Sequence, residues 1–179
     1  MILSDQKILE NIKFGNIVIT PFESKNLGSN SYDVHLGPKI GLYEDIELDC
    51  KKHNKIYYQN IPIDGYVLRP GVLYLGSTVE YTETHNLVPF LEGKSSLGRL
   101  GISIHETAGK GDAGFCGHWT LEITCVKDIK IYPGMPIAQL IYFGLSGECL
   151  FNYKEKPSSK YFNQKKEPQE SLMYKNFDL

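Results

Sequence analysis

The chain has 179 residues, 41% apolar, 12% aromatic and 22% charged, and 19 basic against 21 acidic residues give a formal charge of −2. That length suits one domain with its own core, and the composition excludes collagen, a coiled coil and a wholly disordered chain. The balanced charge provides no global field toward nucleic acid or an anionic membrane, so neither is expected as a partner and any anion must be held by a local cluster.

The opening MILSDQKILENIKFG carries a charge every few residues and contains no signal-peptide run. Ser4 as a cap, apolar Ile8, Leu9 and Ile12, and a stop at Gly15 predict one amphipathic helix. The pattern then changes period. NIVIT (16–20), SYDVHL (31–36), KIYYQNI (55–61), GYVLRP (65–70), VLYLGSTVEY (72–81), WTLEITCV (119–126) and IAQLIYF (137–143) are short, β-branched and aromatic. Gly, Pro, Asn and Asp separate them, which predicts a mostly β barrel or jelly roll after the helix. IAQLIYF is too short to span a bilayer. Cys50, Cys116, Cys125 and Cys149 contain no C-x-x-C and read as free thiols, so a cytoplasmic location is expected.

From Lys154 onward there is no glycine, with six lysines and two prolines, the composition of a tail that cannot pack a core alone. Tyr161, Phe162, Tyr174 and Phe177 give it more aromatic content than a solvated tail needs. Disorder and a segment that closes over a ligand are both open on composition. The expected division is a β domain over 1–153 and a tail over 154–179.

The stretch EGKSSLGRLGISIHETAGKGDAGFCGHWTLEIT (92–124) concentrates the chemistry. Lys94-Ser95-Ser96-Leu97-Gly98-Arg99 surrounds two hydroxyls with two cations, an inventory for phosphate oxygens and equally for a capped turn. The spacing is not that of a P-loop. Asp112, in G-D-A-G, suits a turn. In W-T-L-E-I-T, strand alternation puts Trp119, Leu121 and Ile123 on one face and Thr120, Glu122 and Thr124 on the other. Glu122 therefore faces either water or a lined cavity. No histidine begins an H-x-E and there is no C-x-x-C, so no zinc site is expected.

MILSDQKI, SNSYDVHLG (29–37), KSSLGRLG (94–101), HETAGKGDAGFCGHWTLEI (105–123), YPGMPIAQLIY (132–142) and SKYFNQ (159–164), in that order, resemble the dCTP deaminase family of the dUTPase-like superfamily. The resemblance implies a distorted β-barrel or jelly roll, a homotrimer with active sites shared between subunits, and zinc-free hydrolysis of dCTP to dUTP. It implies that Glu122 works on the attacking water, that Ser95 fixes that water or the exchanging amino group, that the Ala108 carbonyl helps orient it, and that Arg99 keeps Glu122 ionised or stabilises charge building on the ring. Lys94, Ser96 and Arg99, with Leu97 and Gly98 between them, would hold the triphosphate. Magnesium would arrive with that triphosphate, without protein side-chain ligands. Thr120 and Leu121 flank Glu122 in the implied substrate site. Tyr153, Lys160 and Gln164 match ligand-contacting positions, which favours a tail that orders over the nucleotide as a lid.

Thr107-Ala108-Gly109 followed by D-A-G-F resembles the family members that also cleave dUTP to dUMP and pyrophosphate. Asp112 would then hold the water that attacks the α-phosphate, and Gly109 would leave room for that water and for loop movement. Lys94 stands where many members have Arg. Lys110-Gly111 replaces a common bulky apolar pair, which is expected to loosen the loop carrying Asp112. The tail after Gln164 lacks a frequent glycine. The alternatives are a deaminase alone, a dUTP diphosphatase alone and a non-catalytic nucleotide-binding regulator. dTTP is the feedback inhibitor that the family implies.

Overall fold

A computed structural model describes residues 1–177, so the tail expected over 154–179 is described except for its last two residues, which lie outside the described residues. The first element is helix α1 (Asp5–Lys13). The Ser4 side chain accepts the Lys7 N–H and Ile8 is buried beneath the helix, as its apolar spacing predicts. Gly15 ends the helix in the left-handed region at φ +75°, where a side chain would be strained.

Eleven strands follow among the described residues: β1 (Ile17–Thr20), β2 (Tyr32–His35), β3 (Lys39–Tyr43), β4 (Ile56–Asn60), β5 (Tyr66–Leu68), β6 (Tyr74–Thr84), β7 (Leu87–Gly93), β8 (Ile102–Ser103), β9 (Cys116–Cys125), β10 (Ile129–Ile131) and β11 (Pro136–Gly144). A single turn of helix, α2 (Ser95–Gly98), joins β7 to β8. The strands form a sheet in the order β4-β3-β6-β9-β8 with β1 also on β6, a three-stranded sheet β2-β11-β7, and the pair β10-β5. The protein is therefore mostly β with a short N-terminal helix, as the sequence predicts. The expected barrel is open: none of these sheets closes on itself.

The inward faces follow strand alternation. Tyr32 and Val34 of β2, Leu140 and Tyr142 of β11, and Leu121 and Ile123 of β9 are fully buried in one core. Burying side chains of this size contributes about 1.5–3 kcal/mol each before entropy is charged against it.

β9 carries Thr120, Glu122 and Thr124. Its first edge pairs with β6 through most of its length. Its second edge carries β8 only at Thr124 and Cys125, and a bridge from Gln164 of the tail at Gly117. The tail lies along its own chain. Ser77 Oγ donates to the Lys166 carbonyl (2.6 Å), Tyr58 OH to the Pro168 carbonyl (3.1 Å), and the Ser171 N–H to Tyr43 OH (3.1 Å). Leu172 and Gln164 are buried.

Candidate active site

The residues of β9 alternate as expected. Trp119, Leu121 and Ile123 enter the core, while Thr120, Glu122 and Thr124 are half-buried on the opposite face. That face does not open onto bulk water. It forms one wall of a cavity of about 520 Å³, which Ala108, Asp112, Thr120, Glu122, Tyr153 and Gln164 all line. This volume suits a small-molecule ligand. Six of the residues singled out in the sequence thus meet in one place.

Glu122 is held from one side. The Glu106 N–H donates to its Oε2 (3.1 Å). Thr124, two residues on and therefore on the same face, donates its hydroxyl to Glu106 Oε1 (2.9 Å). Two residues before Glu122, Thr120 Oγ1 accepts the Gln169 N–H (2.9 Å) and a hydrogen bond from the Gln164 side-chain amide. One pleated face therefore carries the tail, the carboxylate and the anchor of the loop beside it.

Asp112 makes its turn with backbone, its carbonyl accepting the Phe115 N–H (3.1 Å). Its carboxylate is directed elsewhere: Lys110 Nζ lies 2.6 Å from Oδ1 and Lys156 Nζ 3.7 Å from Oδ2. The hydrogen bond from Lys110 leads in holding the Asp112 carboxyl below the usual carboxylate range, against the opposing effect of burial. The loop that carries these groups, expected to be loosened by Lys110-Gly111, is hydrogen-bonded to a neighbouring strand on both sides of Lys110. Residues 109–111 lie along β7: the Leu91 N–H donates to the Gly109 carbonyl (2.7 Å) and the Gly111 N–H to the Pro89 carbonyl (2.8 Å). A Cβ at Gly109 would fall 2.5 Å from the Leu91 carbonyl oxygen, and one at Gly111 2.5 Å from the Trp119 ring. Both glycines let the backbone approach closely.

The cation–hydroxyl cluster stands apart. Lys94, Ser95, Ser96 and Gly98 line a second hollow of about 500 Å³ that does not include Glu122. Lys94 Nζ is paired there with Asp33 Oδ2 (2.5 Å). The Arg99 guanidinium donates to the Ser95 carbonyl (3.1 Å) from an exposed position. Within one chain, then, Ser95 and Arg99 do not meet the carboxylate they were expected to serve. Leu97 and Leu121 turn their side chains into the core, so any ligand contact there falls to the backbone. Lys160 lines neither hollow, although its neighbour Tyr161 lines the first and donates its N–H to Tyr153 OH (2.9 Å).

Glu106, Lys110, Tyr43 and Glu170 line the β9 cavity without having been singled out as site residues. Lys110 and Glu106 lay inside the glycine-rich stretch. Tyr43 and Glu170 reach the cavity only through the fold and the course of the tail. Among the described residues no three His, Cys, Asp or Glu side chains form a metal-binding group, and no helix is long and apolar enough to cross a membrane.

Residues 2–145 match the profile of a family described as dCTP deaminase-like. A protein of Cytophaga hutchinsonii is 47% identical over 178 residues, covering 99% of both chains, and one of Clostridium beijerinckii is 50% identical over the same span and coverage. Both are named "dCTP deaminase, dUMP-forming". Among solved structures, the 2'-deoxycytidine 5'-triphosphate deaminase of Agrobacterium tumefaciens superposes with a TM-score of 0.62 at 22% identity. The match covers 86% of this chain and 51% of that one, and its likeness is one of fold.

Proposed function

The chain belongs to the dCTP deaminase family, dUMP-forming, of the dUTPase-like superfamily, and from that membership we propose how the β9 cavity serves the two reactions. The enzyme hydrolyses dCTP to dUTP and ammonia, then dUTP to dUMP and pyrophosphate. The observation that carries the site assignment is Glu122, facing a ligand-sized cavity from a rigid strand with one oxygen already held by the Glu106 N–H.

In the first reaction Glu122 takes a proton from a water as the water oxygen attacks carbon 4 of cytosine. It delivers that proton to ring nitrogen 3, then passes the second proton, from the new hydroxyl on carbon 4, to the amino group, which leaves as ammonia as the carbonyl forms. The Ala108 carbonyl orients the water, and Thr120 with Gln164 provides hydrogen-bonding groups at the base end. In the second reaction Asp112 holds the water that attacks the α-phosphate. Tyr153 and Lys160 lie on the segment that follows the phosphate chain. Ser95 and Arg99 complete the site from a neighbouring copy of the chain. The separation of the two hollows within one chain supports this homotrimeric, shared arrangement. The neighbour's Lys94 and Ser96 would meet the triphosphate.

Magnesium, a hard cation that favours phosphate oxygens and retains waters, travels on the triphosphate and screens its charge. The donor set suits that arrangement, because both Asp112 oxygens are already engaged by lysines. The tail over 154–179 acts as a lid that excludes water once nucleotide is seated. dTTP, presenting the same triphosphate, acts as a feedback inhibitor. The four free cysteines suit a reducing, cytoplasmic setting.

The test is product analysis with dCTP and magnesium, resolving dUTP, dUMP and pyrophosphate. The expected result is dUMP and pyrophosphate formed with ammonia. Glu122→Gln is expected to abolish ammonia release while nucleotide binding persists, and turnover retained in that variant would overturn the assignment of Glu122.

A further inference from the structure

Asp112 sits between two cations that belong to different parts of the chain. Lys110 is two residues upstream, on the segment clamped to β7 by the Leu91–Gly109 and Gly111–Pro89 hydrogen bonds. Its backbone position is fixed on both sides by glycines that admit no Cβ without displacing Leu91 or Trp119. Lys156 arrives from the start of the tail. That start is itself fastened beside Asp112. The Tyr153 N–H donates to the Ala113 carbonyl (2.7 Å), the Tyr153 ring packs on Phe115, and Asn152 and Glu155 hydrogen-bond each other through backbone and side chain.

The side chains of Lys110, Lys156 and Asp112 are 56%, 48% and 37% exposed. Ion pairs this exposed contribute little to folding stability. Lys110 and Asp112 line the cavity and Lys156 reaches Asp112 from the tail, so the placement instead bears on the chemistry of the one carboxylate they share. Two cations and one anion leave a net positive charge at the point where a phosphate chain would pass.

We propose that Lys110 and Lys156 are positioning residues of the phosphate-cleaving step, clamping Asp112 between the β7-anchored loop and the tail so that this step proceeds only with the tail seated. The inference rests on the assignment of Asp112 to the second reaction. In that step the water oxygen bonds to the α-phosphorus and the bond from that phosphorus to the bridging oxygen breaks. Pyrophosphate leaves with the electron pair, and the water's proton passes through Asp112 to solvent. Lys110 fixes the direction of the carboxylate through Oδ1. Lys156 reports on Oδ2 that the tail is in place. With the tail displaced, Asp112 keeps one of its two cations and the deamination product escapes as dUTP.

The experiment is the ratio of pyrophosphate to ammonia released from dCTP, measured for the unmodified enzyme, Lys110→Met, Lys156→Met, the two Lys→Arg variants and Asp112→Asn, each with a thermal melt. Both methionine variants are expected to lower the ratio, by about tenfold for Lys110→Met and less for Lys156→Met, with dUTP accumulating. Melting temperatures should stay within about 2 °C, and arginine should restore most of the ratio. Raising the salt should lower the ratio in the unmodified enzyme and leave it nearly flat in Lys110→Met, because exposed charges are screened. A ratio unchanged in both methionine variants overturns the clamp, as does a loss accompanied by a lowered melting temperature that arginine does not restore. If Asp112→Asn also leaves the ratio unchanged, the assignment beneath the clamp fails as well.

Discussion

Glu122 spends one carboxylate oxygen on the Glu106 N–H and turns toward the cavity with the other, so its aim depends on where residue 106 is held. Thr124 holds it, through the hydroxyl that donates to Glu106 Oε1. Thr124→Val keeps the volume and removes the donor. We expect kcat for deamination to fall by about three- to tenfold with KM little changed, while Glu106→Gln, which preserves an acceptor for Thr124, stays close to the unmodified rate. Steady-state kinetics with ammonia detection checks both. The placement of Glu122 was legible in W-T-L-E-I-T because a period of two admits only two faces. What covers its face was not, since the partners arrive from residues 43, 106 and 169–171 through the tertiary fold. Asp112 was legible as a turn residue. Its ion pairs were not, because nothing in G-K-G-D says that the backbone alone makes the turn and leaves the carboxylate to Lys110.

At the scale of elements, helix α1 and strands β1, β2, β4 and β5 fall within the segments that alternation and punctuation pick out, while β6, β9 and β11 overlap theirs and run past them, β6 to Thr84, β9 back to Cys116 and β11 from Pro136 to Gly144. Strand β7, Leu-Val-Pro-Phe-Leu-Glu-Gly, lies outside those segments, and its proline is a residue that argues against a paired strand. Its geometry resolves the conflict. In an antiparallel ladder a residue's N–H and C=O point to the same side, and the Pro89 carbonyl accepts from Gly111, on the side away from β11. The missing donor therefore costs the β7–β11 ladder nothing. The 109–111 segment completes this otherwise exposed edge, and Gly111 is what lets it lie flat under Trp119. Gly111→Leu must move either the indole or the Pro89 ring, since the new Cβ would lie 2.5 Å from one and 2.9 Å from the other. A cost of about 1–3 kcal/mol is expected in chemical denaturation, with pyrophosphate release lost before ammonia release because the displaced loop carries Asp112.

Across the whole molecule, the inventory of reactive groups could be read from the chain, but its partition into two hollows could not. Sequence proximity of Ser95, Arg99 and Glu122 says nothing about which copy of the chain brings them together. If each site takes Glu122 from one subunit and Ser95 from its neighbour, two dead variants should complement. Ser95→Ala and Glu122→Gln, each inactive alone, are expected to regain about a quarter of the unmodified activity when subunits are exchanged at equal proportions, because about a quarter of all junctions then pair two intact residues. No regain after verified exchange would place both residues in one chain's site. β9 also sets a limit on how such an enzyme can diverge. Thr120, Glu122 and Thr124 face the tail, the cavity and the Glu106 loop from one pleat at two-residue steps. Inserting or deleting a single residue between them would send a carboxylate into the core and detach the cover or the anchor in the same event. Loops can lengthen and the tail can be rewritten, but this strand can change only by substitution, which makes its spacing the feature by which remote descendants would remain recognisable.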